Sequence, residues 1–420
     1  MTATTAHNEG RRLRGNGDFV RLTVGESISQ LGSSMSVFVL PLVTVALTGS
    51  AAQAGVVGGA ATLGTVLFIL PAGALVDRWH RRRVMLISSA VRAAIWAAIG
   101  VAGLLHDLTL TYLIVAAFLS NVAETFFSPA EGASVRKVVT PEQLPTAMAV
   151  NEGRQAAASL IGGPLGGLLF GLNIMFPFFF NALSFVASLI GVCTIRYPLG
   201  KAEQTEDAKP TSIVASIAAG LRFVWSRPAM RDIFIVSAIL NFGITAIDLT
   251  IILNLKIRGE TAAEIGFISA SAGAGVFLGA AVAPRVIKRI PTGKISIFLG
   301  WVLLTTYSIM ALLRESLYAQ IFLVFIALFM VPALNAGLNS YTMLVTPDAF
   351  QGRVQNAGGF MVMILMPFAA FLGGTGLEYL GAGRTMLVLV LILAIGPVLL
   401  TANKHIRHIP LISELGDQAR

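Results

Sequence analysis

Cysteine is almost absent from this 420-residue chain. Cys193 is the only one, which excludes a disulfide framework and a cysteine metal cluster. Charge is scarce too, at 12% of residues against about a quarter in an ordinary soluble domain. Histidine is confined to His7, His80, His106, His405 and His408, which lie in tails or in turns between apolar runs, and there is no phosphate loop of the glycine-lysine type. These absences argue against an enzyme, and no catalytic, cofactor or metal site is expected. What the chain does contain is apolar: 55% hydrophobic residues and a mean hydropathy of +0.78. The net charge of +9 does not imply a nucleic-acid partner, because the basic residues sit in short turns rather than in a patch with interleaved aromatics.

Twelve runs have membrane-crossing length: 20–47, 53–76, 84–105, 109–130, 147–171, 174–196, 230–254, 263–284, 295–313, 316–339, 354–378 and 382–402. Lipid leaves backbone polar groups no partner outside a helix or a closed barrel, so the expected fold class is an all-α integral membrane protein with twelve transmembrane helices in two six-helix bundles. The first run is too long for a signal-peptide core and lacks a convincing cleavage site, so it reads as a retained span.

Lys and Arg set the expected orientation. Alternate turns hold Arg78, Arg81, Arg82 and Arg83, then Arg136 and Lys137, then Arg285, Lys288, Arg289 and Lys294, whereas the opposite loops hold only Lys256, Arg258, Arg314 and Arg384. Both termini are therefore expected in the cytoplasm, with the chain in the cell membrane. The divisions are a cytoplasmic tail (1–18), a six-helix bundle (19–196), a cytoplasmic linker (197–228), a second bundle (229–403) and a tail (404–420). Within the linker, Ile213, Ile217, Leu221 and Trp225 recur four residues apart, as in a helix lying on the inner membrane surface.

The two halves are related. Gly73-Ala74-Leu75-Val76 reappears as Gly279-Ala280-Ala281-Val282, and Thr140-Pro141-Glu142 reappears as Thr346-Pro347-Asp348 at the same offset. Two separated matches at one offset indicate a duplicated six-helix unit in parallel orientation. Asp77 falls opposite Ala283, so the second copy kept its basic charge and lost its acid.

The turn after the second span reads Gly73-x-x-x-Asp77-Arg78-x-x-Arg81-Arg82-Arg83. Positive-inside charge accounts for the arginines but not for Gly73 or Asp77. With twelve spans in two parallel halves, this turn resembles that of the major facilitator superfamily. Three further stretches resemble its drug:proton antiporter branch, which includes macrolide efflux proteins and the enterobactin exporter: Thr140-Pro141-Glu142-Gln143-Leu144-Pro145, Gly163-Pro164-Leu165-Gly166-Gly167 and Gly220-Leu221-Arg222-Phe223-Val224-Trp225. In the antiporter-type motif Gly163, Pro164 and Gly167 fit, while Leu168 stands where a second glycine is expected. The resemblance implies the major facilitator fold. It also implies that Asp77 sits near the start of the eleventh span and latches the halves together at the cytoplasmic gate, attracted by the helix end. The Gly163-Pro164 bend, it further implies, seals the cavity against ion leak. The glycine row 163, 167 and 171 is also ordinary small-residue packing.

Ionisable groups inside spans cost about 2.5–3.5 kcal/mol at mid-membrane on insertion scales, which makes each a candidate site. Glu26 lies in span one near its inner end, where a merely solvated position is the alternative. Arg92 lies in span three, Glu124 in span four beside Asn121, Arg154 in span five within reach of the cytoplasm, and Asp248 deep in span seven beyond Asn241. Desolvation favours the neutral form of a buried carboxylate, so such a group can load and release a proton. Asp248 and Glu124 are the leading candidates for this role and Glu26 the third, with a structural Glu124–Arg92 pair as the alternative. Phe176, Phe178, Phe179 and Phe180, with Met361, Met363 and Met366, suit either bulky apolar ligands or lipid-facing packing.

The expected function is export of a bulky amphipathic small molecule, drug- or antibiotic-like, in exchange for protons by alternating access. The partners are substrate, protons and the lipid bilayer, and the chain is expected to act as a monomer. A dedicated siderophore or lipid exporter and a non-transporting membrane sensor stay open as alternatives.

Overall fold

Long apolar segments in lipid satisfy their backbone groups by coiling, and this chain does so throughout. The computed structural model describes residues 13–76, 78–200, 213–347 and 350–411. The helices are α1 Gly17–Thr48, α2 Ala51–Val76, α3 Arg81–Leu104, α4 Leu110–Val138, α5 Leu144–Leu172, α6 Phe176–Cys193, α7 Ile213–Trp225, α8 Pro228–Ile257, α9 Ala262–Ile287, α10 Thr292–Leu312, α11 Leu317–Val345, α12 Gln351–Met363, α13 Met366–Ala402 and α14 Lys404–Arg407. The eleventh span is α12 together with the first part of α13, interrupted around Ile364 and Leu365. Gly381 then reverses the chain in a single step with φ 76° and ψ 162°, a left-handed conformation that favours a residue without Cβ. The remainder of α13 is the twelfth span.

Side-chain caps fix several of the boundaries. Asn16 caps α1 by accepting from the Phe19 amide at 3.2 Å and donates to the Val138 carbonyl at 2.8 Å, tying the start of α1 to the end of α4. Thr261 and Glu264 form a reciprocal capping box at α9. At the other end of the chain, the Thr292 and Gly293 amides donate to the Pro410 and Ile409 carbonyls, so residues after α14 fold back onto the first turn of α10. The connecting helix α7 packs against α12 rather than lying free. Val224 is fully buried, Phe223 stacks on Phe350 with ring centres 5.0 Å apart, and Arg227 donates to the Val345 carbonyl at 2.7 Å.

One bundle is built from α1–α6 and the other from α8–α13, and they meet along two seams, α5 with α9 and α2 with α13. Both seams are closest towards the face opposite the chain ends. A methyl built on Gly59 would lie 2.9 Å from the Pro367 carbonyl oxygen, and one on Gly163 would lie 2.8 Å from that of Gly266. Towards the face carrying the chain ends the approach loosens: a methyl on Gly73 would lie 3.6 Å from Asn356 Nδ2. At the far end of the α2–α13 seam, Glu378 Oε2 accepts from the Ser50 hydroxyl at 2.5 Å and from the Ala52 amide at 2.8 Å. A carboxylate from one half thus caps the first turn of a helix in the other.

Candidate functional site

Polar side chains exposed within spans mark where the space between the halves is wet, because lipid-facing positions penalise them. Asn335, Asn339, Gln355, Asn356 and Gln155 are exposed in this way, and the Glu124 side chain is 37% exposed halfway along α4. On the same side, a cavity of about 310 Å³ in the second half is lined by Phe234, Asn339, Thr342, Met343, Gln355 and Met363. Its mix of amide, hydroxyl, aromatic and thioether groups suits an amphipathic ligand.

The charged residues of the first half form one network across five helices. Arg92 of α3 pairs with Glu124 of α4, donates to Ser33 Oγ of α1 at 3.0 Å, and lays its guanidinium 3.9 Å over the Phe185 ring of α6. Arg154 of α5 pairs with Glu131 of α4 at 2.9 Å and also donates to Asn151 at 2.5 Å. The two side chains of that pair are only 6% and 13% exposed. Glu26 of α1 lies within electrostatic reach of both pairs yet has no cation of its own among the described residues. It is 3% exposed and accepts from Ser188 Oγ of α6 at 3.2 Å, and the buried Ser29 hydroxyl one turn away has no partner among the described residues.

The second half holds a simpler arrangement. Asp248 of α8 accepts from the hydroxyl of Tyr307 of α10 at 3.1 Å, and no ion pair involves it among the described residues. Tyr307 is fully buried, so the bond anchors one carboxylate oxygen against the core of this bundle.

These placements revise several sequence expectations. Glu26 is buried, which removes the solvated alternative. Arg154 does not reach solvent, because α5 begins at Leu144 and sets the residue roughly 15 Å along the helix. Glu124 is engaged by Arg92, the pairing that the sequence had left open as the alternative to a proton site. Glu131 escaped notice because the fourth span was expected to end at residue 130, whereas α4 continues to Val138. Its spacing of two helical turns from Glu124 was the available signal. Asn121 and Asn241 each donate to their own helix one turn back, to the Ala117 and Ser237 carbonyls at 2.9 and 2.8 Å. Phe178 is fully buried and stacks on Trp96 at 5.7 Å, which is packing rather than ligand lining, while Phe176 is 47% exposed on the bundle surface.

The residues expected at the gate sit at the end of α2 and the start of α3. Arg78 and Arg83 are exposed, Arg81 is buried, and Arg82 donates to the Cys193 carbonyl at 2.5 Å. Asp77 lies outside the described residues, as do Asp348 of the second repeat and the side chains of Ile213 and Ile217. Of the antiporter-type motif, Gly163 and Gly167 form the closest part of the α5–α9 seam, against Gly266 and Ala262, and Pro164 stands between them inside α5.

Residues 22–370 match the sequence pattern of the Major Facilitator Superfamily. The chain is 26% identical over 411 residues to the multidrug efflux pump Tap of Mycolicibacterium fortuitum, covering 94% of this chain and 97% of that one. It is 22% identical over 384 residues to macrolide efflux protein A of Streptococcus pyogenes, covering 88% and 92%. Among solved structures, a bacterial homologue of the iron transporter ferroportin in an inward-facing state superimposes with a TM-score of 0.70 at 15% identity, covering 94% of this chain and 100% of that one.

Proposed function

Since the chain belongs to the major facilitator superfamily and is a multi-pass membrane transporter rather than an enzyme, we propose that it exports bulky amphipathic compounds, drug-like in character, in exchange for protons. The relatives named for multidrug and macrolide efflux support the substrate class. One observation carries the coupling: each half holds an acid within its spans that has no cation partner among the described residues, the buried Glu26 in the first and the half-buried Asp248 in the second.

Glu131 is bonded to Arg154 at 2.9 Å, so a proton on it would break an ion pair, which is not so for an acid without a cation partner. An unpaired acid in a poorly hydrated site is stable there only when neutral, so it takes a proton while it faces one solution and loses it on meeting water at the other. Glu26 and Asp248 are therefore assigned the proton, and the Arg92–Glu124 and Arg154–Glu131 pairs the task of holding α1, α3, α4 and α5 in register around it. Glu124 is also the acid most open to the central space, which makes it the first contact for an entering ligand. Each proton carried inward across the membrane gains about 2.3 kcal/mol per 100 mV, in addition to any pH difference.

The cycle follows from the seams. With the chain ends cytoplasmic, as the basic turns argue, the close contacts of Gly163, Gly167 and Gly59 close the outer face while the central space opens inwards. Rocking the bundles reverses this. The Asp77 latch then holds the cytoplasmic side shut, and the approach of Gly73 to Asn356 near the start of the eleventh span supports that role. Inside-out vesicles carrying the purified chain test the proposal. Uptake of an amphipathic dye is expected when the lumen is acidic, and it should stop when a protonophore collapses the gradient. Uptake at the same rate without any gradient would remove proton exchange from the mechanism.

A further inference from the structure

The basic turn between α2 and α3 carries a feature that gating does not use. Arg78, Trp79, His80, Arg83, Val84 and Ile87 enclose a groove of about 390 Å³ at the border of the spanning region. Its volume falls within the range of small-molecule sites, about 300–1,000 Å³. Of the four arginines in this turn, two are committed to the fold: Arg81 is buried and Arg82 is bound to the Cys193 carbonyl. Arg78 and Arg83 are exposed, and neither side chain has a hydrogen bond or ion pair with any described residue.

Trp79 forms one wall. Its ring stacks on Phe126 of α4 with centres 6.0 Å apart and planes 18° from parallel, and it is still 46% exposed. Indole rings held in this way favour the headgroup level of a bilayer. Below the arginines the exposed face of α3 turns apolar, with Ile87 64% and Val91 41% exposed at four-residue spacing from Arg83. Two guanidiniums without a partner among the described residues, an interfacial indole and an aliphatic stripe running into the membrane thus follow one another along a single path.

We propose that this groove binds an anionic glycerophospholipid, its phosphate between Arg78 and Arg83 and one acyl chain along Ile87 and Val91. Guanidinium forks match phosphate oxygens, and the stripe takes the chain that a free phosphate lacks. The site is independent of the export reading; only the choice of leaflet, the inner one, rests on the proposed orientation. The equivalent turn of the second half, Arg285, Lys288 and Arg289, has the charge but no aromatic residue, and so serves as the control.

The test uses the purified full chain in nanodiscs of phosphatidylcholine with a minor fraction of brominated phosphatidylglycerol, reading quenching of the tryptophan whose signal is lost in Trp79→Phe. Quenching is expected to exceed that by the same fraction of brominated phosphatidylcholine. Neutralising Arg78 and Arg83 to glutamine should weaken the preference about fivefold each. Lys288→Gln with Arg289→Gln should leave it unchanged. Native mass spectrometry of the unaltered chain checks the same point without relying on a variant: phosphatidylglycerol should stay bound where phosphatidylcholine is lost. Equal quenching by the two lipids, an equal loss from the second-half control, or displacement by millimolar inorganic phosphate would overturn the assignment.

Discussion

Replacing each buried acid by its amide should separate the residues that hold the protein together from those that carry the proton. Glu131→Gln removes the partner of a guanidinium that is 6% exposed and bonded at 2.9 Å. Leaving such a charge buried and unpaired costs about 3–5 kcal/mol. Glu26→Gln removes no cation's partner. The amide oxygen still accepts from Ser188, and its new N–H groups lie one turn from the unpartnered Ser29 hydroxyl, so the change should cost no more than about 1 kcal/mol. The two variants should therefore differ by about 2 kcal/mol or more, with Glu131→Gln melting far earlier in detergent. Transport should rank them the other way. Glu26→Gln, well folded, should lose uphill export driven by a pH gradient while still binding dye. Replacing the whole pair, Arg154→Met with Glu131→Leu, should recover most of the lost stability, because a buried ion pair exchanged for apolar groups of similar volume is close to neutral. Equal melting losses for Glu26→Gln and Glu131→Gln would refute the division. So would full gradient-driven export by Glu26→Gln and Asp248→Asn together.

Three further outcomes are expected. Glu378→Gln removes the charge that caps the first turn of α2, worth about 0.3–1 kcal/mol at an exposed site, and should shift the two faces two- to fivefold towards opening on that side. Cross-linking of Ala54→Cys with Leu377→Cys in a Cys193→Ala background reads this shift; an unchanged rate would show that the contact is incidental. Gly167→Val should abolish export at normal protein level, since a Cβ there would sit 2.7 Å from the Ala262 carbonyl carbon, whereas Gly171→Val meets nothing within 4 Å and should be tolerated. Matching losses in both would argue against the seam as a moving contact. Asp77→Asn should impair export without lowering protein level, and unchanged export in vesicles would dismiss the latch.

Several features of this protein were legible residue by residue. The spans, their number and their parallel duplication follow from run length and from repeated short motifs. Lipid imposes those limits on each segment separately, so they can be read along a line. The break at Ile364 and the reversal at Gly381 show where this reading strains: the sequence pattern marks two spans there, but one turn is a single glycine and one span is broken in the middle. Glu131 shows the same strain at the end of a helix, where eight residues beyond the expected limit decide whether an acid is wet or buried.

Which charges meet was decided only in three dimensions. Ion pairing depends on the depth and rotation of whole helices, set by small-residue contacts such as those of Gly163 with Gly266, and a linear pattern records neither quantity. The sequence left Glu124 open as either a proton carrier or the partner of Arg92, and the antiparallel packing of α3 on α4 joined the two. By the same rotation Arg154 found Glu131, and Glu26 was left between the pairs with only a serine hydroxyl. The sequence alone determined that acids lie within the membrane, because composition is local. The packing determined which of them has no counter-charge, because that depends on the distances between helices.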